Sequence, residues 1–330
     1  MPELPEVEVV RAGLQPALTG ATVTAVDIFD PRSLRRHDGA LGDFTGLLEG
    51  QRLLGVVRRG KFLWVPLESG HALVAHLGMS GQVLLRQPGF NADRMLRIRL
   101  YLEHPLLGDL WVHFVDQRIF GSMAVDTMLP TADSRPAGYF GASLLGATDE
   151  PALVSRTAVS HAPVSHTPAS GTPAAWERMI PSQVAHISRD PLDPAFDAPS
   201  FYRALGRTRS GIKRVLLDQG VISGVGNIYA DEALFAARMH FAQPAQSLSL
   251  KRARELLAAV RAILLRALGE GGTSFDAQYV NVNGESGYFS HSLNAYGQQG
   301  SPCPRCGTVL VREQFMNRGS HFCPRCQRLR

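Results

Sequence analysis

The chain's only four cysteines stand near its end, as Cys303-Pro304-Arg305-Cys306 and Cys323-Pro324-Arg325-Cys326, with sixteen residues between the pairs. Two Cys-x-x-Cys pairs so separated have the spacing of a tetrahedral four-cysteine zinc site, which fixes a hairpin between its ligand pairs with little help from a hydrophobic core. Four thiolates leave no coordination position for water, so one Zn2+ held here is expected to be structural. The metal and its thiolates sum to −2, which the arginines of the tail outweigh. Arg318, in Asn317-Arg318-Gly319-Ser320, falls on the hairpin, where it can push a cation into a groove.

At 330 residues and 45% hydrophobic, the chain is long enough for two domains plus this appendage. Its net charge is +5, but from Leu205 onward 16 basic residues face 8 acidic ones, which points to a polyanion such as nucleic acid. Lysine occurs only at Lys61, Lys213 and Lys251 in an arginine-rich chain. No apolar run approaches the roughly 18 residues of a membrane span, and no charged, apolar leader opens the chain. The expected address is the cytoplasm, away from any membrane, where such cysteines do not form disulfides.

The first residues are Met1-Pro2-Glu3-Leu4-Pro5-Glu6-Val7-Glu8. Proline is small enough for the initiator methionine to be trimmed, leaving a secondary amine beside Glu3. An α-amino group has a pKa of about 7.7–8.0 and is partly unprotonated near neutral pH. Pro5 suits the first helical position, and Leu4, Val7, Val10 and Leu14 line one face of the helix that follows. Taken alone, the stretch also reads as an ordinary amphipathic helix.

Between Thr22 and Phe120 the pattern is of about seven short strands separated by Gly-, Pro- and charge-rich turns, as in an antiparallel sandwich or barrel. Arg58-Arg59-Gly60-Lys61 would present three cations at a turn, either solvated or touching phosphate. His76-Leu77-Gly78-Met79-Ser80-Gly81 and Asp116-Gln117-Arg118-Ile119-Phe120-Gly121 stand at strand ends. Residues 125–198 read as a linker enlarged by a Ser/Thr/Ala/Pro-rich insertion. Helical periodicity resumes at Ser200–Leu205 and Ile212–Asp218. Two glycine turns follow, then a helix from about Ile228 with Asn227 as its N-cap, whose free N–H groups suit a phosphate. A long helix runs from Ser249 to Leu268. The glycine-punctuated Gln278–Phe289 stretch is a hairpin or a lid. The expected class is α+β: residues 1–124 form the sandwich flanked by helices, 199–300 a helical domain and 301–330 the finger.

The ordered set of Pro-Glu-Leu-Pro-Glu-Val-Glu, His-Leu-Gly-Met-Ser-Gly, Gly224-Val225-Gly226-Asn227-Ile228-Tyr229-Ala230-Asp231-Glu232 and the four-cysteine finger resembles the bacterial formamidopyrimidine-DNA glycosylases. The resemblance implies a helix–two-turn–helix domain and a monomeric repair enzyme acting on damaged double-stranded DNA. Pro2 would then be the nucleophile, Glu3 the acid and Lys61 a third catalytic group that binds phosphate. Lys213, Asn227 and Arg318 would bind further phosphates, and Met79, Arg118 and Phe120 would fill the space left by the everted base. Glu6, Glu232, Tyr279, Gly287 and Tyr288 would lie around the lesion pocket. Ile119 departs from the pattern, since the family often has a second arginine there. The endonuclease VIII type shares Pro2 and Glu3, but Leu4, the Met79/Arg118/Phe120 set and the long closing loop resemble the purine enzyme more closely.

Overall fold

The computed structural model describes residues 2–141, 174–273, 282 and 289–329. Tyr279, Gly287, Tyr288 and most of the insertion lie outside the described residues. The elements in chain order are α1 (Leu4–Leu18), β1 (Thr22–Ile28), α2 (Phe44–Leu48), β2 (Val57–Arg59), β3 (Phe62–Pro66), β4 (His71–His76), β5 (Gly81–Arg86), β6 (Leu96–His104), β7 (Gly108–Asp116) and β8 (Ser122–Pro130). They continue with β9 (Met179–Pro181), α3 (Ala198–Gly206), α4 (Ile212–Leu216), α5 (Asn227–Ala236), α6 (Leu250–Gly269), β10 (Val311–Phe315) and β11 (Arg318–Phe322).

Two antiparallel sheets, ordered β1-β6-β7-β5 and β2-β3-β4-β8-β9, form the N-terminal sandwich. The expected sandwich is present, but its second sheet runs past residue 124. β8 extends to Pro130 and pairs with β9, so part of the stretch read as linker is sheet. Those strands carry little alternation that would have marked them, as Met-Ala-Val-Asp-Thr-Met reads as easily as a loop approach.

Helix α1 serves both halves of the molecule. Val7, Val10, Leu14 and Leu18 join the sandwich core, whereas Leu4 joins the core of the helical domain with Ile222, Tyr229 and Phe289. The remaining face of α1 is polar yet buried. Arg11 Nη2 donates to Glu8 at 2.8 Å, and Arg58 on β2 donates to Glu8 at 2.7 Å and to Asp190 at 2.8 Å, all out of solvent. This corrects the reading of 58–61 as a turn bearing three free cations. Arg58 and Arg59 are buried, and only Lys61 of the three reaches the cleft. Ion pairs this deep contribute little net stability but penalise the loss of either partner, so they fix α1 against β2 and residue 190.

In the helical domain α6 packs on α1 and α5 and is capped by Ser249, whose Oγ accepts from Arg252 N. Val282 inserts into the sandwich core against Gly13, where a Cβ would overlap it, and its carbonyl accepts from Leu85 N at 3.1 Å. Among the described residues no helix is long and apolar enough to cross a membrane.

Candidate active site and nucleic-acid interface

The site forms where α1 begins and α5 begins. Asn227 is the first residue of α5 rather than its cap, which corrects the sequence reading; Gly226 holds the cap position. Three of the N–H groups at this helix start are taken by a side chain and are not left for a phosphate. The Glu3 carboxylate accepts from Gly226 N at 2.6 Å, Ile228 N at 3.1 Å and Tyr229 N at 3.4 Å. Glu3 therefore caps another domain's helix, 223 residues away in sequence. Gly226 is required by this approach, because a Cβ there would overlap the Glu3 carboxyl.

Burial raises the Glu3 pKa above the ordinary carboxylate value and Glu6 adds to it, while Lys61 and the helix N–H groups pull it back. A carboxyl in this balance can hold a proton and release it, as general-acid chemistry needs. Burial in turn lowers the pKa of Lys61, with Glu3 opposing the shift and Arg318 reinforcing it. Lys61 lines a cleft of about 510 Å³ with His76, Arg214, Gly226, Asn317 and Arg318. His76 is marked in the sequence only as the head of the His-Leu-Gly-Met-Ser-Gly stretch. It ends β4 at this cleft, and burial together with Arg36 brings its pKa down to about 4, so it is neutral at working pH. A larger cavity of about 940 Å³ lies elsewhere, between Pro130, Asp133, Arg189, Phe196 and Ser200, and holds none of these groups.

Glu6 closes the back of the site. It accepts from Glu3 N at 2.8 Å, from Tyr229 Oη at 2.5 Å and from Thr273 N at 2.7 Å, tying α1 to α5 and to the residue that enters the 274–281 stretch.

Met79, Arg118 and Phe120 come together on two adjoining loops, with Met79 and Phe120 exposed at 45% and 44%. Asp116 holds both loops. Its Oδ1 accepts from Ser80 Oγ at 2.5 Å and Arg118 N at 3.1 Å, and its Oδ2 accepts from Gly121 N at 2.6 Å. Gly78 lies flush against the Phe120 backbone at φ 63°. Ile119 has φ 54°, a left-handed conformation that costs a β-branched residue about 1–3 kcal/mol and persists only where the surroundings enforce it.

Lys213 and Glu232 depart from their expected places. Lys213 is fully buried, with Nζ 2.7 Å from Asp231 Oδ1 and donating to Gly319 O at 3.1 Å. Glu232 accepts from Asn294 N, Ala295 N and Tyr296 N at 2.8–3.1 Å, so it holds the loop leading to the finger. Asn227 Nδ2 also donates to Gly319 O, at 3.2 Å. The finger hairpin, β10 and β11 with Met316 and Asn317 at its tip, is thus docked on α4 and α5 through Gly319, and Arg318 stands exposed beside the tip.

The four cysteine sulfurs gather within 4.8 Å of one another. Cys306 Sγ lies 3.6 Å from Cys323 Sγ and 3.5 Å from Cys326 Sγ. Zn–S bonds of about 2.3 Å put tetrahedral sulfurs roughly 3.8 Å apart, so the donor set fits zinc. Hydrogen bonds from Thr308 bring the Cys306 thiol down to about 6, whereas burial and its neighbours push Cys326 up to about 12. Four thiolates together need a cation.

Family profiles match the chain in three stretches. They are the formamidopyrimidine-DNA glycosylase N-terminal domain over residues 1–123, the H2TH domain of the same enzymes over 187–278, and a zinc finger found in FPG and IleRS over 300–329. A sandwich and a helix–two-turn–helix unit meeting at a buried carboxylate, with a four-cysteine finger docked beside them, define a DNA glycosylase of the helix–two-turn–helix class. The formamidopyrimidine-DNA glycosylase of Leifsonia xyli is 60% identical over the full length of both chains, and that of Nocardioides is 48% identical over 99% of this chain and 94% of its own. The crystal structure of the MutM (Fpg) protein from Thermus thermophilus superposes with a TM-score of 0.71 at 34% identity, covering 100% of both chains. The Lactococcus lactis Fpg, solved in complex with DNA containing an abasic site, shares the fold at 24% identity and a TM-score of 0.71 over 99% of each chain. The chain belongs to the formamidopyrimidine-DNA glycosylase family.

Proposed function

We propose that this protein is a bifunctional DNA glycosylase and AP lyase that removes 8-oxoguanine and formamidopyrimidines from duplex DNA in base excision repair. The observation that carries the reading is the Glu3 carboxyl, buried at the start of α5 beside Lys61 and next in sequence to Pro2. With Met1 trimmed, the lone pair of the Pro2 amine attacks C1′ of the damaged nucleotide, and the base leaves with the electrons of its glycosidic bond. The proton lost by the nitrogen goes to the departing base; Glu3 gives its proton to O4′ as the C1′–O4′ bond breaks, and the nitrogen becomes a cationic iminium. That electron sink acidifies C2′–H. Loss of this proton expels the 3′ phosphate, and a second elimination expels the 5′ phosphate.

Lys61, Asn227 and Arg318 are the phosphate contacts in this reading, set around the cleft. Lys213 acts from behind, holding the hairpin that carries Arg318. Met79 and Phe120 wedge into the duplex while Arg118 donates to the orphaned cytosine. Tyr279, Gly287 and Tyr288 belong to a loop closing over the extruded base. One Zn2+ held by Cys303, Cys306, Cys323 and Cys326 keeps the finger folded. The enzyme acts as a cytoplasmic monomer of three units: the sandwich, the helical domain and the finger.

The deciding experiment is borohydride trapping on a duplex with 8-oxoguanine opposite cytosine. A covalent adduct mapping to the peptide that begins at Pro2 is expected, and it should vanish when a tag blocks the amine while salt-dependent DNA binding remains. An adduct on Lys61 would overturn the mechanism. Binding without any adduct or cleavage would favour a DNA-binding protein without catalysis.

A further inference from the structure

The wedge loop is clamped from two sides, and one of the clamps is an arginine far from it in sequence. Arg35 follows the 3-10 turn Pro31–Leu34, and its two terminal nitrogens donate to the carbonyls of Ile119 and Phe120. The first is the oxygen of the peptide link that joins the left-handed residue to the wedge residue, and the second is the oxygen of the link that follows. Asp116 satisfies N–H groups of the same loop from the other side, at Arg118 and Gly121.

The two clamps share one anchor. Asp30 caps the Pro31–Leu34 turn by accepting from Arg32 N at 3.1 Å, and it accepts from Arg97 Nη1 at 3.0 Å. Arg97 Nε in turn donates to Asp116 O at 2.8 Å. Arg35 and Asp116 are therefore referenced to one Asp30–Arg97 pair, and the loop between them is held on both its N–H and its C=O sides. A planar fork suits two successive carbonyls, and the point charge of a lysine does not.

From this geometry we infer that Arg35 is a positioning residue for base excision, which keeps Ile119 left-handed and so presents Phe120, with Arg118, in the form that enters the duplex. The inference rests on the wedge role proposed above for Phe120 and Arg118. With Arg35 removed, nothing else among the described residues bonds these two carbonyls, and the 119–120 peptide is free to turn.

The test compares Arg35→Ala and Arg35→Lys with the unaltered protein, using 2-aminopurine beside an 8-oxoguanine·cytosine pair to report wedge insertion and single-turnover excision to report its consequence. Both variants should lose the fluorescence step and slow excision roughly 10- to 100-fold, as expected for a misplaced positioning group. Borohydride adducts on a single-stranded oligonucleotide with a preformed abasic site, which needs no wedge, should form as in the unaltered protein. Wild-type behaviour from Arg35→Lys would overturn the inference. So would a salt dependence reduced by about one phosphate contact with the fluorescence step intact, because Arg35 would then be only a phosphate cation. If the unaltered protein forms no adduct, the amine mechanism fails instead. If Phe120→Ala leaves the fluorescence step in place, the wedge role fails.

Discussion

Lys213 Nζ lies 2.7 Å from Asp231 Oδ1, with both side chains out of solvent, and this ion pair between α4 and α5 is the place where the helical domain holds the finger. Asp231 also accepts from Ser320 Oγ at 3.0 Å and from His321 N at 2.9 Å, so one carboxylate grips β11 at two successive residues while Lys213 holds Gly319 O. The expected result of Asp231→Asn is a stability loss of about 3–5 kcal/mol, the usual penalty for stripping one partner from a buried pair. Replacing both residues, as Lys213→Met with Asp231→Leu, should recover much of that stability but not the affinity for damaged duplex, since Arg318 loses its support. Denaturation midpoints and fluorescence anisotropy measure the two effects separately. An unchanged affinity in the double variant would show that the pair has no part in placing Arg318.

Gly226→Ala tests the cap that Glu3 provides. The added methyl overlaps the Glu3 carboxyl, and the flexible side chain rather than the helix must yield. Base release should fall roughly 100-fold with the fold retained, as for a small displacement of a reacting group. Single-turnover rates beside circular dichroism read this out; an undiminished rate would mean that Glu3 need not sit at the α5 start.

The rate of base release should follow a bell-shaped pH profile. On the acid side the amine is protonated and loses its nucleophilicity below its pKa, about 8 for an ordinary α-amino group. On the alkaline side Glu3 must keep its proton. Its folded pKa is raised, so the protonated fraction persists to higher pH than in an ordinary carboxyl before it declines. Lys61 is a lowering influence on Glu3, and Lys61→Met should therefore move the limb that Glu3 sets to higher pH whatever it does to the maximum. A limb that stays in place would remove Glu3 as its source.

Chelation of the metal should abolish binding to damaged duplex and leave the N-terminal amine unaltered. Cys306→Ser should do the same, because three thiolates leave the hairpin carrying Arg318 without its clasp. Elemental analysis is expected to find one zinc per chain in active protein; active protein free of zinc would end this expectation.

What could be read from the sequence was local. Cysteine spacing, the 3.6-residue period of α6 with Ser249 at its start, and the short-strand pattern before Phe120 are all written in neighbouring residues. The misreadings involve partners distant in the chain. Arg58 looked like a solvated turn cation because its counter-charge, Asp190, is 132 residues away. Asn227 has the chemistry of an N-cap, but a carboxylate from the other domain does that work. Glu232 and Lys213 carry charges of the kind that active sites use, and only the docked finger and its approach loop reveal where those charges are spent. His76 has no local pattern to mark it beyond opening the His-Leu-Gly-Met-Ser-Gly stretch.

Helix α1 contributes Leu4 to one core and Val7, Val10 and Leu14 to the other, so its first turn lies where the two bodies meet. In any turning of one body against the other, points near the axis travel least and points far from it travel most. Glu3, bonded to the start of α5 from the first residues of α1, is near that pivot, whereas Phe120 and Arg318 are exposed, one on the sandwich and the other on the finger. Spin labels at 120 and 318 should change separation on DNA binding far more than labels placed on α1 and α5. The reactive corner can thus stay assembled while the jaws around it open for a duplex and bend it.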